Sequence, residues 1–276
     1  MKFFKSLNEQ LSLSFAAVAL IPLLVFGLSM SFLLERNISQ AALHDLDVHT
    51  DEIAKGVGAS FQAVVRELEL LSSSLDAGLL EQPTQVDVLL KTVLDRSEEL
   101  TSLLILDRQH RVVHLALPAH LEFQKQDYLG LDYSGHEFFK KGKPLDKLAW
   151  SATFPSLLTG EPAVSLKVPM TDGSLLANLS FGEIETFSKH ARHYQGLVEI
   201  ALIDRNGVLI KHTHSELAKQ RFSLMDCPAV AHAVKEGVST PVHFHEQTNL
   251  LECAQIIPET DWIVRVALPT SEALRQ

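Results

Sequence analysis

The sequence predicts an α+β protein with an N-terminal transmembrane helix, a long stalk helix, and two tandem modules each built on an antiparallel sheet. Three observations carry this expectation. Residues 11–34 form an uncharged apolar run, apolar residues recur at 3- and 4-residue spacing from Leu43 to Leu79, and one strand–turn–strand pattern occurs twice, around Asp107 and around Asp204. A chain of 276 residues is long for one average domain and comfortable for two. A hydrophobic share of 46% describes an ordered protein with enough apolar surface for cores.

Residues 1–10 carry Lys2, Lys5 and Glu9, and the run "LSLSFAAVALIPLLVFGLSMSFLL" at 11–34 follows. At the helical rise that run reaches about 36 Å, enough to cross a bilayer core. Pro22 inside it is tolerated in lipid when local adjustments satisfy the freed carbonyl. A cleaved signal peptide is the rival reading, but its apolar region is usually about 7–15 residues and ends at a small-x-small site. "LLERNISQAAL" offers a poor site of that kind. The positive-inside rule places 1–10 in the cytoplasm, 11–34 in a bacterial inner membrane, and the rest in the periplasm or outside. The first ten residues carry +1, so the remainder carries −11 against a net charge of −10, which argues against nucleic acid and against adhesion to anionic lipid.

Leu43, Leu46, Ile53, Val57, Phe61, Val64, Leu68, Leu71, Leu75 and Leu79 make the seam of an amphipathic helix, interrupted mainly by Thr50. A stalk over 35–80 would extend about 68 Å, long enough to pack along a whole domain, pair with its copy in a homodimer, or both. "EQPTQ" at 81–85 breaks the helix, and "VDVLLKTVLDRSEEL" reads as a second one.

"LTSLLILDRQHRVVHLAL" then reads as strand, turn and strand, and "EIALIDRNGVLIKH" at 199–212 has the same form. Aligning Asp107 with Asp204 matches Asp-Arg and the flanking apolar positions, so one module occurs twice, at 81–188 and 189–276. Asn206-Gly207 is a strong hairpin signal because both residues accept positive φ; Gln109-His110 replaces it in the first copy, whose turn must then be built differently. Further strands follow in each copy. In the first they are "EPAVSLKVPMT" and "SLLANLSF", joined at Asp172-Gly173; in the second they are "TPVHFHEQTNLLECAQII" and "DWIVRVAL". "EIETFSKHARHYQG" at 183–196 reads as a bridging helix.

The stretch "DYSGHEFFKKGKP" at 132–144, then "WSATFPSLLTGEPAVSLKVPM", then "DGSLLANLSF", carries the most specific motif order in the chain. It runs Asp132 and Ser134, Phe138 and Phe139, Gly142, Trp150 and Ser151, Thr159, Gly160 and Pro162, and Asp172 and Gly173. With the two modules behind an anchor and a stalk, this resembles the double-Cache sensor fold, a tandem of PAS-like sheets on one helix found in bacterial receptor kinases, chemoreceptors and cyclic-dinucleotide enzymes. The resemblance implies signal reception and no enzymatic activity in this chain. A small molecule would bind the membrane-distal module, 81–188, under a lid containing the 132–144 stretch. The signal would pass through the stalk and the membrane-proximal module, 189–276.

Departures from the family matter. Relatives that bind amino acids carry an Arg-x-Trp-Tyr group and an aspartate after the hairpin; neither occurs here, and Ser180 or Gly182 stands near the acid's place, so amino-acid recognition of that type is not expected. Others carry an arginine where this chain has His136, which lacks the bidentate fork and charges only when protonated. An organic acid or another small metabolite stays open as ligand.

The candidate ligand-binding residues are Tyr133, His136, Phe139, Trp150, Ser151, Thr153 and Asp172. Tyr133 and Trp150 could stack on a ligand or fill core space, and Ser151 and Thr153 could donate hydrogen bonds. Lys140, Lys141, Lys143 and Lys147 read as a solvated face. Among 13 histidines, the pairs His243/His245, His212/His214 and His190/His193 have chelating spacings but lack a third ligand, so no metal site and no cofactor are expected. Cys227 and Cys253 read as free thiols. No nucleophile elbow, zinc-protease helix or phosphate loop occurs. Two other readings stay open, an anchored periplasmic scaffold binding another protein and a His-rich metal-binding protein. "PTSEAL" looks like a helix start before a returning span, so the chain is expected to be the front part of a longer receptor.

Overall fold

One helix carries both halves of the chain in the computed structural model, which describes residues 26, 44–78, 80, 82–97, 99–140, 146–156, 160–180, 198–213, 217, 218, 220, 222–245, 249–258 and 260–273. This helix, α1, spans 44–76 and is about 50 Å long at the standard rise. Its seam is the one read from the sequence. Leu46, Ile53, Val57, Phe61, Leu68, Leu71 and Leu75 are buried, while Leu43 and Leu79 lie outside the described residues. Thr50, the apparent interruption, is buried as well, because its hydroxyl donates to the Leu46 carbonyl (2.6 Å) within the helix. Among the described residues no helix is long and apolar enough to cross a membrane; apart from Phe26, the run at 11–34 lies outside them.

The seam is spent on two sheets. The first has the strand order β2-β1-β6-β5-β3, with β4 also on β5, where β1 is Leu100–Asp107, β2 Val112–Ala116, β3 Ala149–Trp150, β4 Phe154–Pro155, β5 Pro162–Met170 and β6 Gly173–Ser180. The second runs β8-β7-β11-β10-β9, with β7 Glu199–Ile203, β8 Leu209–His212, β9 Thr240–His245, β10 Leu250–Ile257 and β11 Trp262–Pro269. The two orders superimpose strand for strand, so the duplication seen around Asp107 and Asp204 extends to whole sheets. The boundary expected at 188/189 and the bridging segment 183–196 lie outside the described residues.

Strand alternation decides what each face does. In the first sheet Leu103, Ile105, Val164, Leu166, Val168, Leu175, Ala177 and Leu179 face α1 and helix α2 (Pro83–Arg96). In the second, Ile200, Leu202, Val264, Val266 and Leu268 do the same, and all belong to one continuous core along α1. Each end of the helix is also tied by polar bonds. Asp47 accepts from Gln255 (3.2 Å), and Asp76 accepts the N–H and hydroxyl of Thr171 at the β5–β6 turn (3.0–3.1 Å). The opposite face of the second sheet is covered by α4 (Pro228–Glu236), whose Ala229, Val230 and Ala233 pack on Ala201, Ala254 and Ile263. Cys227 and Cys253 are free thiols on opposite sides of that sheet. Cys227 donates to Glu252 (3.0 Å) and Cys253 faces Asp47 (3.4 Å), so no bridge can join them.

The two hairpin turns correct the sequence reading. Asp107 accepts the N–H groups of Gln109 (2.8 Å) and Arg111 (2.9 Å), and Asp204 accepts those of Asn206 (2.8 Å) and Val208 (2.9 Å), in the same offsets. Both turns are therefore built alike. A single residue takes the left-handed conformation in each, Gly207 at φ 79° and His110 at φ 61°, and Asn206 does not. A bulge follows on the strand side in both, which makes this a bulged turn rather than a two-residue primed one. His110 tolerates the strained region because its ring stacks on Phe139 (centroids 4.0 Å, 21°).

At the β5–β6 turn a Cβ on Gly173 would lie 1.9 Å from the Leu106 carbonyl oxygen of the neighbouring strand. Gly173→Ala is expected to cost about 1–3 kcal/mol, since backbone and not a flexible side chain blocks the methyl. A urea midpoint equal to the parent's would refute this.

Candidate functional site

The face of the first sheet away from α1 starts as an ordinary core and ends as something else. Toward the β1–β2 turn it is apolar, with Leu104, Leu106, Leu115 and Leu176 packed under Phe138. On β5 the same face carries a buried lysine, Lys167, opposite Leu176, and two residues further along β1 and β6 it turns polar as well. Ser102, Asn178 and Ser165 stand side by side on β1, β6 and β5. Asn178 donates its amide N–H to the Ser102 hydroxyl (2.9 Å) and accepts from the Ser165 hydroxyl. A buried polar row across the middle of a sheet costs stability relative to apolar packing even when satisfied, so a core alone does not call for it.

Above this row lies a cleft of about 550 Å³, with Ser165 and Asn178 on its floor and Tyr133, His136, Glu137, Thr153 and Phe154 around it. A recess of about 70 Å³ continues from it beside Ser102, Leu104 and Tyr128, sharing Tyr133, Phe154 and Asn178. Two walls enclose the cleft. The first is the lid, 119–140, made of a 3-10 turn at Ala119–Gln124, helix α3 (Lys125–Tyr128) and a 3-10 turn at Glu137–Phe139. Asp87 of α2 holds it through Lys125 (2.9 Å), and Asp132 shapes its loop by accepting the Ser134 N–H (2.8 Å), which holds its carboxyl below the usual range. The second wall is the irregular edge 151–156 between β3 and β4.

The sequence-derived candidates divide. Tyr133, His136 and Thr153 come together around the cleft. Burial pushes the Tyr133 hydroxyl up and the His136 imidazole down, the latter opposed by Glu137, so the histidine faces the cleft in its neutral form near neutrality. His136 also accepts the Phe138 N–H (3.4 Å), which orients its ring. Ser151 is buried at the edge strand, where it accepts the Ser165 N–H (2.8 Å) and donates to the Ala152 carbonyl (2.7 Å).

Three candidates lie elsewhere. Trp150 faces α1: its register partner is Leu166, on the core side of β5, and its ring packs on Phe61 and Trp262. Phe139 turns toward His110 and lines a separate open depression of about 450 Å³ at the hairpin end. Asp172 is exposed in the β5–β6 turn, paired with Arg108. Of the three acidic groups that line it, Asp76 of α1 accepts the Thr171 N–H and Asp107 accepts those of Gln109 and Arg111, while Asp146 stands on its rim; among the described residues that line it there is no counterpart of the Ser102–Asn178–Ser165 row.

Sequence reasoning missed Ser102, Ser165, Asn178, Phe154 and Glu137. A signal existed for two of them, since Ser165 and Asn178 are equidistant from the Thr171-Asp172 turn and so must pair on one face. Among the described residues no group of three His, Cys, Asp or Glu side chains could hold a metal ion. His190, His193 and His214, and the side chains of His243 and His245, lie outside them.

Comparison with known proteins follows the sheets. The family described as Cache domain matches residues 33–276. No curated protein matches the chain. Among solved structures, the extracellular domain of the putative histidine kinase rpHK1S-Z16 is 16% identical with TM-score 0.61, over 82% of this chain and 93% of that one. The ligand-binding domain of the Pseudomonas aeruginosa PAO1 amino acid chemoreceptor PctC, in complex with GABA, is 18% identical with TM-score 0.56, over 79% and 96%. That of the Pseudomonas fluorescens chemoreceptor CtaA, in complex with L-isoleucine, is 12% identical with TM-score 0.59, over 87% and 97%. At these identities the likeness concerns the fold.

Proposed function

Because the chain belongs to the Cache domain family, we propose that it is the small-molecule-sensing region of a transmembrane signalling receptor, with its ligand in the cleft of the first module. The first module is then the membrane-distal one, and the signal runs through α1 and the second module toward a cytoplasmic output. A periplasmic location behind an anchor at 11–34 belongs to the same reading, as does a homodimer along the stalk. Because the apolar seam of α1 is committed to the sheets, such a dimer would use the face with exposed Val48 and Leu70 and otherwise polar residues. Sedimentation of the full chain tests that pairing.

The observation that carries the reading is the Ser102–Asn178–Ser165 row under the cleft. Neutral donors and acceptors on a floor, an aromatic side in Tyr133 and Phe154, and a closing lid are what a small polar ligand requires. Among the described residues lining the cleft, the one fixed charge is the Glu137 carboxylate. That carboxylate already faces the Arg205 guanidinium and accepts the Ala152 N–H, so the lining favours a neutral or zwitterionic molecule held by hydrogen bonds over a simple organic anion; GABA and L-isoleucine, the ligands of the two chemoreceptor domains, are zwitterions.

A thermal-shift panel of amino acids, amines and organic acids on the full chain tests this reading, since binding raises the melting temperature in a concentration-dependent way. Asn178→Leu should weaken whichever compound responds by about 10–100-fold, the loss of one or two buried hydrogen bonds. Responses confined to organic anions, or untouched by Asn178→Leu, would sink it.

A further inference from the structure

The second module reaches the cleft of the first through the β7–β8 turn. Asp204 is buried there, and one of its carboxylate oxygens serves its own turn as Asp107 does in the first module. Its other oxygen accepts the N–H of Thr153 (2.9 Å), a residue of the cleft wall 51 positions away. The next residue, Arg205, directs its guanidinium to Glu137 of the lid (3.6 Å), and Glu137 in turn accepts the Ala152 N–H from the wall. Two consecutive residues of the second module thus hold both walls of a cleft that belongs to the first.

The duplication sharpens the point. Asp107 and Asp204 share the turn-building bonds, so those bonds explain why an aspartate stands at each position. They do not explain the bond to Thr153, which only the second copy makes.

We propose that Asp204 and Arg205 are positioning residues of the ligand cleft and the element through which its occupancy reaches the second module. The inference rests on the cleft being the ligand site. A ligand between lid and wall must displace or tighten Glu137 and Thr153, and each displacement acts on a group anchored in the β7–β8 turn. Occupied and empty states thereby differ in their contacts to the second module, the condition under which binding can shift its arrangement.

Hydrogen exchange on the full chain tests the coupling with a covalent occupant, so the identity of the natural ligand does not enter. Gly135 lines the cleft, and a Cβ there meets no atom within 4 Å. Gly135→Cys, in a Cys227→Ser background, is loaded with benzyl methanethiosulfonate; Cys253 is buried, with its thiol pushed up to about 12, and stays unreactive. Loading should change exchange at Thr153 and at 206–209 by about fivefold or more. Arg205→Ala and Asp204→Asn should each abolish the change at 206–209 while that at 133–139 persists. A parent in which 206–209 ignore loading, or variants in which they still respond, would overturn the proposal. Because the occupant is tethered, failure of the ligand panel would count against the cleft as natural site and leave this coupling result standing on its own.

Discussion

Phe61→Ala should lower the unfolding free energy by about 3–5 kcal/mol, the range for truncating a buried aromatic, and should loosen both modules together. Phe61 lies mid-way along α1 and touches Trp262 of the second sheet edge-on (centroids 4.8 Å) and Trp150 of the first (5.8 Å), while the two tryptophans meet each other at 4.9 Å. No other aromatic contact among the described residues joins α1 to both sheets. The cavity left by the ring would open where the two sheets share their core, and neither sheet can close it alone. Trp150 and Trp262 are the two tryptophans of the chain, so fluorescence in a urea titration reports on this junction directly. The expected result is one transition at a lower midpoint. A midpoint within error of the parent's would show that the trio is not the joint.

Arg265→Met should cost about 3–5 kcal/mol at neutral pH for a different reason. Arg265 and Glu252 face each other inside the second sheet, both nearly inaccessible, with Glu199 at the rim (3.6 Å). Burial works against the arginine's charge, but Glu252, Cys227 and Glu199 together outweigh it and hold its pKa up. Without the guanidinium, Glu252 is a buried carboxylate that has lost its arginine partner, while the Cys227 thiol still donates to it. Its folded-state pKa would then rise above the unfolded value, so the folded state binds the extra proton. The variant's deficit should shrink as pH falls through that raised pKa and be largest above it. Replacing both partners, Glu252→Leu with Arg265→Met, should recover most of the loss, as apolar exchange of a buried pair does. Urea midpoints of the single and double variants check this, and an equal loss in both would refute it.

The repeated pattern that makes the fold legible is periodic. Period 3.6 marks α1, and apolar runs rich in β-formers, broken by polar turns, mark β1, β2, β7 and β8 and the strands that follow them. The β1–β2 turn is less legible, because whether a histidine can occupy a left-handed position depends on a ring contact 29 residues away. Trp150 illustrates a second limit. A strand of two residues has no alternation to show which face it presents, so an aromatic there reads equally as pocket or core until Leu166 sets its register. The floor of the cleft was recoverable from hairpin symmetry. The role of Asp204 was not, because the turn-building bonds already account for an aspartate and conceal its bond to Thr153.

The most direct test of the central claim sets the cleft against the open depression at the hairpin end. A compound that raises the melting temperature of the full chain is titrated calorimetrically against the parent, His136→Ala and Arg108→Ala. A ligand in the cleft predicts a Kd about tenfold weaker or more for His136→Ala, and an unchanged Kd for Arg108→Ala, which alters only the depression. The reverse pattern, affinity lost with Arg108 and kept without His136, would contradict the account.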